Sequence, residues 1–478
     1  MLRQLPLLIA LCSGLAAQGD RKPNIVYLLA DDLGYGEVGC YGQEKIKTPH
    51  LDQLAAEGMR FTQHYSGAPV CAPSRCVLMT GRHLSHAYIR GNKPVMPEGQ
   101  WAIPDDAVTI PELLRPLGYA TGCVGKWGLG PAASTGDPNA QGFDLFYGYI
   151  CQRVAHNYYP THLWLNGQKH LLDNRAFSSK TRLKEAPDSY AQFYGNEYAP
   201  DRMISAALAF IRRSKDAPFF LYVPFVEPHV AMQPPAEWVD MYPEEWDDKP
   251  YLGNRGYLPH PRPHAGYAAM ISHLDNHVGR IVALIDELDL AEDTLVMFSS
   301  DNGATHDVGG ADTKFFNSSG PLRGRKGSVY EGGLRVPTIA RWPGTVAAGV
   351  TSDHVSGFQD VMPTLVEIAG GPAPGGIDGI SFAPTLLGEG EQQQHDYLVW
   401  EFFGYGGLQA VRAGKWKAVR RKLRKEPTPI ELYDLSVDLA EANDVAASHP
   451  EVVARMDRIM RTDRTPNIDF PISFLDEK

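Results

Sequence analysis

In the segment NIVYLLADD, residues 24–32, an unbroken apolar run over residues 25–30 leads directly into two carboxylates. Three later segments have the same form, an apolar run of strand length with polar side chains just after it. They are residues 120–125 before Lys126, residues 219–225 before Glu227 and His229, and residues 294–300 before Asp301 and Asn302. Ligands of open α/β sheets bind beyond the carboxyl ends of the strands, so these residues are candidates for one shared site. The alternative for any one of these strands is that the polar residues after it simply form a turn, because Asp and Asn are common in turns.

The order of elements predicts the fold class. Through about residue 370, apolar strands alternate with amphipathic helices, a pattern typical of an α/β protein. We therefore expect a large mixed, mostly parallel sheet with helices on both faces. After the glycine- and proline-rich residues 370–376, short strand-like runs and a helix over about 449–461 predict a smaller antiparallel sheet plus helix. The expected divisions are a large domain over residues 19–375, which carries the strand ends, and a C-terminal subdomain over residues 376–478.

The amino terminus resembles a secretory signal. Residues 1–18 contain one early positive charge, a short apolar stretch and then small residues, so we predict an exported protein, periplasmic or secreted. No later apolar run is long enough to cross a bilayer, and no integral membrane segment is expected. Beyond Cys12 five cysteines remain, and an odd number in an exported protein predicts at least one thiol outside a disulfide.

The overall charge argues against a nucleic-acid partner. The 478 residues have a formal net charge of −11, which gives no general attraction to a polyanion. An anionic substrate must therefore be bound by a local group of cationic side chains.

The segment CAPSR, residues 71–75, precedes an apolar run that Gly81 closes. This pattern predicts a short helix with Cys71 at its N-terminus, where backbone N–H groups favour an anion. With this segment the sequence resembles the formylglycine-dependent type I sulfatases of the alkaline phosphatase-like superfamily, and among them bacterial carbohydrate sulfatases. The segments that carry the resemblance, in the family's order, are ADDLGYG (30–36), CAPSR (71–75), TGR (80–82), GKW (125–127), PH (228–229), SDNG (300–303), GRKG (324–327), YEGG (330–333) and LYDL (432–435).

The resemblance implies a mechanism. A maturation enzyme would oxidise Cys71 to formylglycine, whose hydrate would attack the sulfur of a sulfate ester and then release inorganic sulfate through its second hydroxyl. Arg75 would support this residue, Lys126 and Lys326 would bind the sulfate, and His229 would contact the ester oxygen and assist the leaving alcohol.

The same resemblance implies a divalent cation, most often Ca²⁺, with Mg²⁺ as the alternative. Its ligands would be Asp31, Asp32, Asp301, Asn302 and the modified Cys71. Carboxylate and carboxamide oxygens are the hard donors that such ions prefer. A pair of histidines, His273 and His277, stands four residues apart on one predicted helix. The pair lacks the glutamate of a zinc motif, so packing or surface polar contacts are the expected role.

One position departs from the family pattern. Many members carry a histidine after Gly-Lys-Trp that helps to deprotonate the sulfated residue, whereas this chain has Gly128. The hypothesis is that another histidine fills the space, with His86, His156 and His306 as candidates. A water molecule or Asp301 could serve instead, or the chain could be a slow or inactive relative.

Polar and aromatic loops suggest a sugar substrate, because such side chains hydrogen-bond hydroxyls and stack on rings. The expected substrate-binding residues are His86, Arg90, His156, Asn157 and His306. The predicted function is hydrolysis of a sulfate ester on a mono- or oligosaccharide. The alternatives are a phosphomonoester or phosphonate hydrolase of the same superfamily, and a non-catalytic glycan-binding relative whose Cys71 stays a thiol.

Overall fold

The computed structural model describes residues 22–476 of the chain. The signal peptide predicted over residues 1–18 lies outside the described residues. The strands are β1 (Asn24–Ala30), β2 (Met59–Phe61), β3 (His64–Tyr65), β4 (Ala120–Lys126), β5 (Leu145–Tyr149), β6 (His162–Leu165), β7 (Gln168–Leu171), β8 (Phe219–Pro224), β9 (Thr294–Ser300), β10 (Thr338–Arg341), β11 (Val350–Ser352), β12 (Ser356–Gly357), β13 (Leu398–Phe402), β14 (Leu408–Ala413), β15 (Trp416–Arg421) and β16 (Glu431–Asp434). The helices are α1 (Pro49–Ala56), α2 (Cys71–Thr80), α3 (Ile110–Leu114), α4 (Ala199–Ser214), α5 (Ala236–Val239), α6 (Pro263–Glu287), α7 (Glu331–Leu334), α8 (Val361–Ile368), α9 (Ala383–Leu387), α10 (Pro450–Thr462) and α11 (Ser473–Asp476).

A ten-stranded mixed sheet forms the centre, in the order β11-β2-β10-β9-β1-β8-β4-β5-β6-β7. The central strands β9, β1, β8, β4 and β5 run parallel to one another, and β10 and β6 pair antiparallel on either side of them. The four strands that the sequence predicted to end in polar residues are therefore adjacent and parallel. Their carboxyl ends lie at one edge of the sheet, and the predicted large, mostly parallel sheet is confirmed.

Both faces of this sheet are covered, which explains why β1 is apolar from Ile25 to Ala30. Side chains of a strand alternate between the two faces. Ile25, Tyr27 and Leu29 pack into a core shared with α2, α3 and α8. The intervening residues of β1 pack into a second core shared with α1, α4 and α6. The helices therefore hold the strand ends in fixed positions from both sides.

The C-terminal part forms a four-stranded antiparallel sheet, β13-β14-β15-β16. One face packs on α10 through Val411, Leu432 and Met456. The other face contributes Trp400 and Val419 to the core of the large sheet. The predicted small sheet and terminal helix are thus confirmed, and α10 lies one residue from its predicted bounds. The division at residues 375 and 376 stays a prediction.

Five cysteines lie in the part of the chain that the structure describes, and all five are free thiols, including Cys71. Among residues 22–476, no helix has the length and apolar character needed to cross a membrane.

Candidate active site

Four side chains with hard oxygen donors meet where β1 and β9 end side by side. Asp31 and Asp32 follow β1, and Asp301 and Asn302 follow β9. Asn302 Nδ2 donates to Asp32 Oδ1 at 2.8 Å, and the backbone N–H of Asp32 donates to Asp301 Oδ1 at 3.2 Å. All four residues are fully buried. The parallel pairing of the two strands thus brings together residues that lie 270 positions apart.

Cys71 lies against these carboxylates as the first residue of α2. Its Sγ is 3.3 Å from Asp31 Oδ1 and 3.9 Å from Asp32 Oδ1. Both consecutive side chains reach the sulfur because Asp32 adopts a left-handed backbone (φ 68°), which aspartate tolerates better than most residues. Burial, and next the charge of Asp31, raise the pKa of the Cys71 thiol well above its usual value. The unmodified thiol is therefore protonated at neutral pH and is a weak nucleophile.

Arg75 and Lys126 hold the carboxylates from the side of α2 and β4. Nε and Nη2 of Arg75 donate to Asp301 Oδ2 at 2.9 and 2.8 Å. Its remaining guanidinium nitrogen donates to the backbone carbonyl of Lys126, and the Lys126 ammonium bonds to Asp31. Both cations are buried. Arg75 is one turn beyond Cys71 on α2, so the helix positions the cysteine and a cation for the same cluster.

Lys326 and His229 complete the cluster on the side of Asp32. Lys326 Nζ is 2.8 Å from Asp32 Oδ2 and 3.6 Å from Cys71 Sγ. His229 Nδ1 is 2.6 Å from the Val230 carbonyl, which can only accept, so Nδ1 carries the proton and Nε2 faces Asp32 Oδ2 at 3.6 Å. Burial, followed by the charge of Lys326, lowers the pKa of His229 to about 4. The imidazole is therefore neutral at pH 7.

The carboxylates are stabilised unequally. Burial alone would raise the pKa of Asp31, but the charges of Lys126 and Arg75 outweigh it and hold the pKa below its usual range. His229 adds to this effect only at the low pH at which its ring is protonated. Burial and the neighbouring Asp31 raise the pKa of Asp301 to about 6. Opposing shifts of this kind arise where like charges crowd one site.

The donors fit a hard divalent cation. Asn302 Oδ1 is buried and has no hydrogen-bond partner, an arrangement that native proteins avoid unless something else binds the atom. Asp31, Asp32, Cys71 and His229 each offer a ligand atom, all within 4.8 Å of one another. An oxygen-rich set with several carboxylates suits Ca²⁺ or Mg²⁺.

Two of the five predicted substrate-binding residues border this cluster. The ring of His156 stacks on His229, with centroids 4.7 Å apart and planes inclined by 7°. His306 lies in the loop whose Ala304 carbonyl binds the Lys326 backbone at 2.9 Å. Asn157 follows His156 and uses its side-chain oxygen to accept the Tyr159 N–H at 3.0 Å, so its role toward substrate stays a prediction.

The structure does not bring His86 and Arg90 to the cluster, and this part of the prediction is corrected. The guanidinium of Arg90 is buried and bonds to Glu401, Thr465 and the Ala87 carbonyl. It therefore ties the loop after α2 to the C-terminal part of the chain. His86 pairs with Asp378 at 3.0 Å. Both residues are polar and lie in a loop, as substrate-binding residues often do. In the structure their side chains bond instead to residues far along the chain.

The space next to Gly128 is filled by a glutamine, not by the expected histidine. A Cβ at position 128 would lie 2.4 Å from Nε2 of Gln152. Gln152 belongs to no motif that the sequence reveals. Two tyrosines beside the cluster were also missed. Tyr257 contacts His156 and His229 with ring centroids 5.3 and 5.9 Å away, and Tyr405 bonds to His306 at 3.1 Å.

Comparisons with known proteins agree with this geometry. The family model described as Sulfatase matches residues 23–371, and the model described as N-sulphoglucosamine sulphohydrolase, C-terminal, matches residues 325–465. Human arylsulfatase A is 34% identical, with 95% of this chain and 89% of the relative covered. An N-acetylgalactosamine-6-O-sulfatase of Bacteroides thetaiotaomicron is 31% identical, with 97% and 99% covered.

A solved structure supports the same assignment. The crystal structure of Ps i-CgsB in complex with k-i-k-neocarrahexaose superposes with a TM-score of 0.76 at 28% identity, over 93% of this chain and 94% of that chain. Residues 23–371, which the Sulfatase model matches, include every member of the buried cluster around Cys71. This chain belongs to the sulfatase family, the enzymes that hydrolyse sulfuric esters.

Proposed function

We propose that this protein hydrolyses a sulfate ester on a carbohydrate, and that Cys71 acts after oxidation to formylglycine. The observation that carries the proposal is the meeting of Cys71 with three carboxylates and three cations in one buried cluster. The raised pKa of the thiol supports the oxidation, because a protonated thiol in this position is a poor nucleophile.

We propose that Ca²⁺, or Mg²⁺ in its place, binds to five ligands. They are Asp31, Asp32, Asp301, Asn302 and the oxidised Cys71. When they are present, the ion supplies positive charge beside the sulfate, and the formylglycine hydrate supplies a nucleophilic hydroxyl. Arg75, Lys126 and Lys326 already balance the three carboxylates. A divalent ion therefore leaves the cluster with a net positive charge, which favours an anionic substrate.

The side chains around Cys71 have separate tasks in this proposal. Lys126 and Lys326 bind the sulfate oxygens as point charges. Burial lowers the pKa of Lys326, but the charge of Asp32 outweighs burial and raises this pKa well above its usual value, so the ammonium stays charged and can donate to the ester oxygen. His229 is oriented by the bond from Nδ1 to the Val230 carbonyl. Because Nδ1 holds the proton of the neutral ring, Nε2 can donate to the same oxygen only after the imidazole has taken up a second proton. Arg75 acts through Asp301 and is a positioning residue.

Four observations support a carbohydrate as the alcohol part. The B. thetaiotaomicron relative is named for a sulfated sugar, and the Ps i-CgsB structure is a complex with k-i-k-neocarrahexaose. His156, His306 and Asn157 supply polar and aromatic groups at the edge of the cluster. Tyr405, which bonds to His306, also lines a cavity of about 820 Å³, a volume within the range of small-molecule sites.

The test is production of the protein together with a formylglycine-generating enzyme. Mass spectrometry of the Cys71 peptide should show the aldehyde form. The matured protein should release sulfate from members of a panel of defined sulfated saccharides and from an aryl sulfate. Cys71→Ala should abolish this activity. Cys40→Ala, which removes a partly exposed thiol elsewhere, is the matched control and should keep it.

Two outcomes would contradict the proposal. Faster hydrolysis of an aryl phosphate than of the matched aryl sulfate would favour a phosphoester hydrolase. Fully matured protein that binds sulfated saccharides without releasing sulfate would favour a glycan-binding role.

We also propose that the protein is exported, because residues 1–18 resemble a signal peptide. Cell fractionation should find the protein without these residues outside the cytoplasm. Full-length protein in the cytoplasm would contradict the proposal.

A further inference from the structure

Gly128 and Gln152 form a matched pair beside the cluster. The backbone of Gly128 has φ +84°, a left-handed conformation, and a Cβ there would approach Gln152 Nε2 to 2.4 Å. Any larger residue at position 128 would therefore be strained and would displace the carboxamide. The glycine is the reason that Gln152 can occupy this place.

The carboxamide of Gln152 has an unused donor. The residue is 4% exposed, and its Nε2 is buried without a hydrogen-bond partner. Buried polar groups in native proteins nearly always have partners. A buried NH₂ group without an acceptor therefore points to a ligand that supplies one.

Each member of this pair has a sequence neighbour in the proposed active site. Two residues before Gly128, Lys126 bonds to Asp31. Four residues after Gln152, His156 stacks on His229. The contact between Gly128 and Gln152 thus joins two segments. One carries Lys126, a proposed sulfate-binding residue, and the other carries His156, whose ring stacks on His229.

We propose that Nε2 of Gln152 donates a hydrogen bond to a sulfate oxygen of the substrate. This inference rests on the proposed function and names a substrate-binding residue that the family motifs do not contain. A carboxamide is neutral and cannot take up a proton near pH 7. Gln152 therefore occupies the space beside position 128 but cannot act as the base that the family's histidine provides there.

The experiment uses the matured full-length protein with three substitutions at this position. Gln152→Met keeps the length of the side chain and removes the donor, Gln152→Ala removes the side chain, and Gln152→Glu replaces the donor with a charge. The readouts are the inhibition constant of inorganic sulfate, KM and kcat on a sulfate ester that the unaltered protein hydrolyses, the thermal midpoint and the fraction of formylglycine.

Loss of a hydrogen bond to an anion should raise the sulfate inhibition constant by about tenfold or more in Gln152→Met and Gln152→Ala, and should lower kcat/KM similarly. Gln152→Glu should have a larger effect, because its carboxylate repels sulfate. Gly128→Ala should resemble Gln152→Met. Adding Gly128→Ala to Gln152→Ala should lower activity little further, because no carboxamide remains to be displaced.

Sulfate inhibition and kcat/KM that stay unchanged in folded, matured Gln152→Met and Gln152→Glu would overturn the inference, as would a fall in kcat with no change in sulfate inhibition. These results leave the proposed function standing, because they require an active unaltered protein. Absence of sulfatase activity in the unaltered matured protein would instead contradict the proposed function itself.

Discussion

Replacing Lys417 with methionine would test how firmly the C-terminal sheet holds the loop that carries Lys326. Lys417 lies on β15, and its Nζ is 2.7 Å from Glu331 Oε1, with both side chains 0% exposed. Glu331 begins α7, five residues after Lys326. Burial would raise the pKa of Glu331, but the charges of Lys417 and Arg335 outweigh it and keep the carboxylate ionised.

The size of the effect follows from what remains after the substitution. Removing one partner of a buried ion pair costs about 3–5 kcal/mol, because the other charge is left buried. Here Arg335 still lies 2.6 Å from Glu331, and the Tyr65 hydroxyl still donates at 2.8 Å. We therefore expect the cost to lie at the lower end of this range, which is a loss of about 3 kcal/mol in the free energy of unfolding.

The matched control is Lys415→Met, two residues away. Lys415 Nζ is 2.6 Å from Asp434, but the lysine side chain is 52% exposed, and such pairs contribute about 0–1 kcal/mol. Urea unfolding followed by circular dichroism should separate the two variants at an unchanged m-value. If Lys417→Met loses no more stability than Lys415→Met, the reasoning about this buried pair is wrong.

Three further predictions concern the metal, the histidines and pH. Dialysis against a chelator should lower the rate of sulfate release at least about 100-fold, because the cluster loses its net positive charge, and Ca²⁺ should restore both rate and thermal midpoint; a rate that survives dialysis would contradict the metal site. In matured protein, His156→Ala should lower kcat about 100-fold, whereas His86→Ala, which lies outside the cluster, should leave kcat within about twofold; equal effects would contradict the placement of these rings. His273 is buried between Glu227 and Asp201, whose hydrogen bonds and charges outweigh burial and raise its pKa to about 9. The protonated ring therefore stabilises the fold fully below pH 6.5, and about 3 kcal/mol should be lost as the pH rises through 9. Urea unfolding across this range should show the loss, and His273→Asn should flatten it; an unchanged slope in that variant would refute the assignment.

Sequence reasoning predicted the parts of the site that lie at strand ends or in motifs. Asp31, Asp301 and Lys126 follow three apolar strands, and a parallel sheet necessarily brings such ends to one edge. Cys71 and Lys326 were identified by the family resemblance. The large sheet was predictable for the same physical reason, since strands buried on both faces are apolar throughout.

The residues that were misassigned or missed depend on contacts between distant segments. The guanidinium of Arg90 pairs with the carboxylate of Glu401, which lies 311 positions further along the chain. No local sequence pattern reveals such a partner. Gln152 sits against Gly128 because two loops pack together, and only a structure shows that the glycine leaves room for it. Loop polarity alone does not distinguish a ligand-binding side chain from one that ties the chain to itself.

The 2% exposure of Cys71 also sets the order of events during biosynthesis. Lys326, which lies against the sulfur, is 255 positions further along the chain, so this lysine reaches the sulfur only late in synthesis. If Cys71 is oxidised as we propose, the oxidising enzyme would have to reach the sulfur before the chain folds around it. Protein that has folded with an intact thiol should therefore stay inactive when the oxidising enzyme is added. The enzyme should activate such protein only after denaturation and refolding.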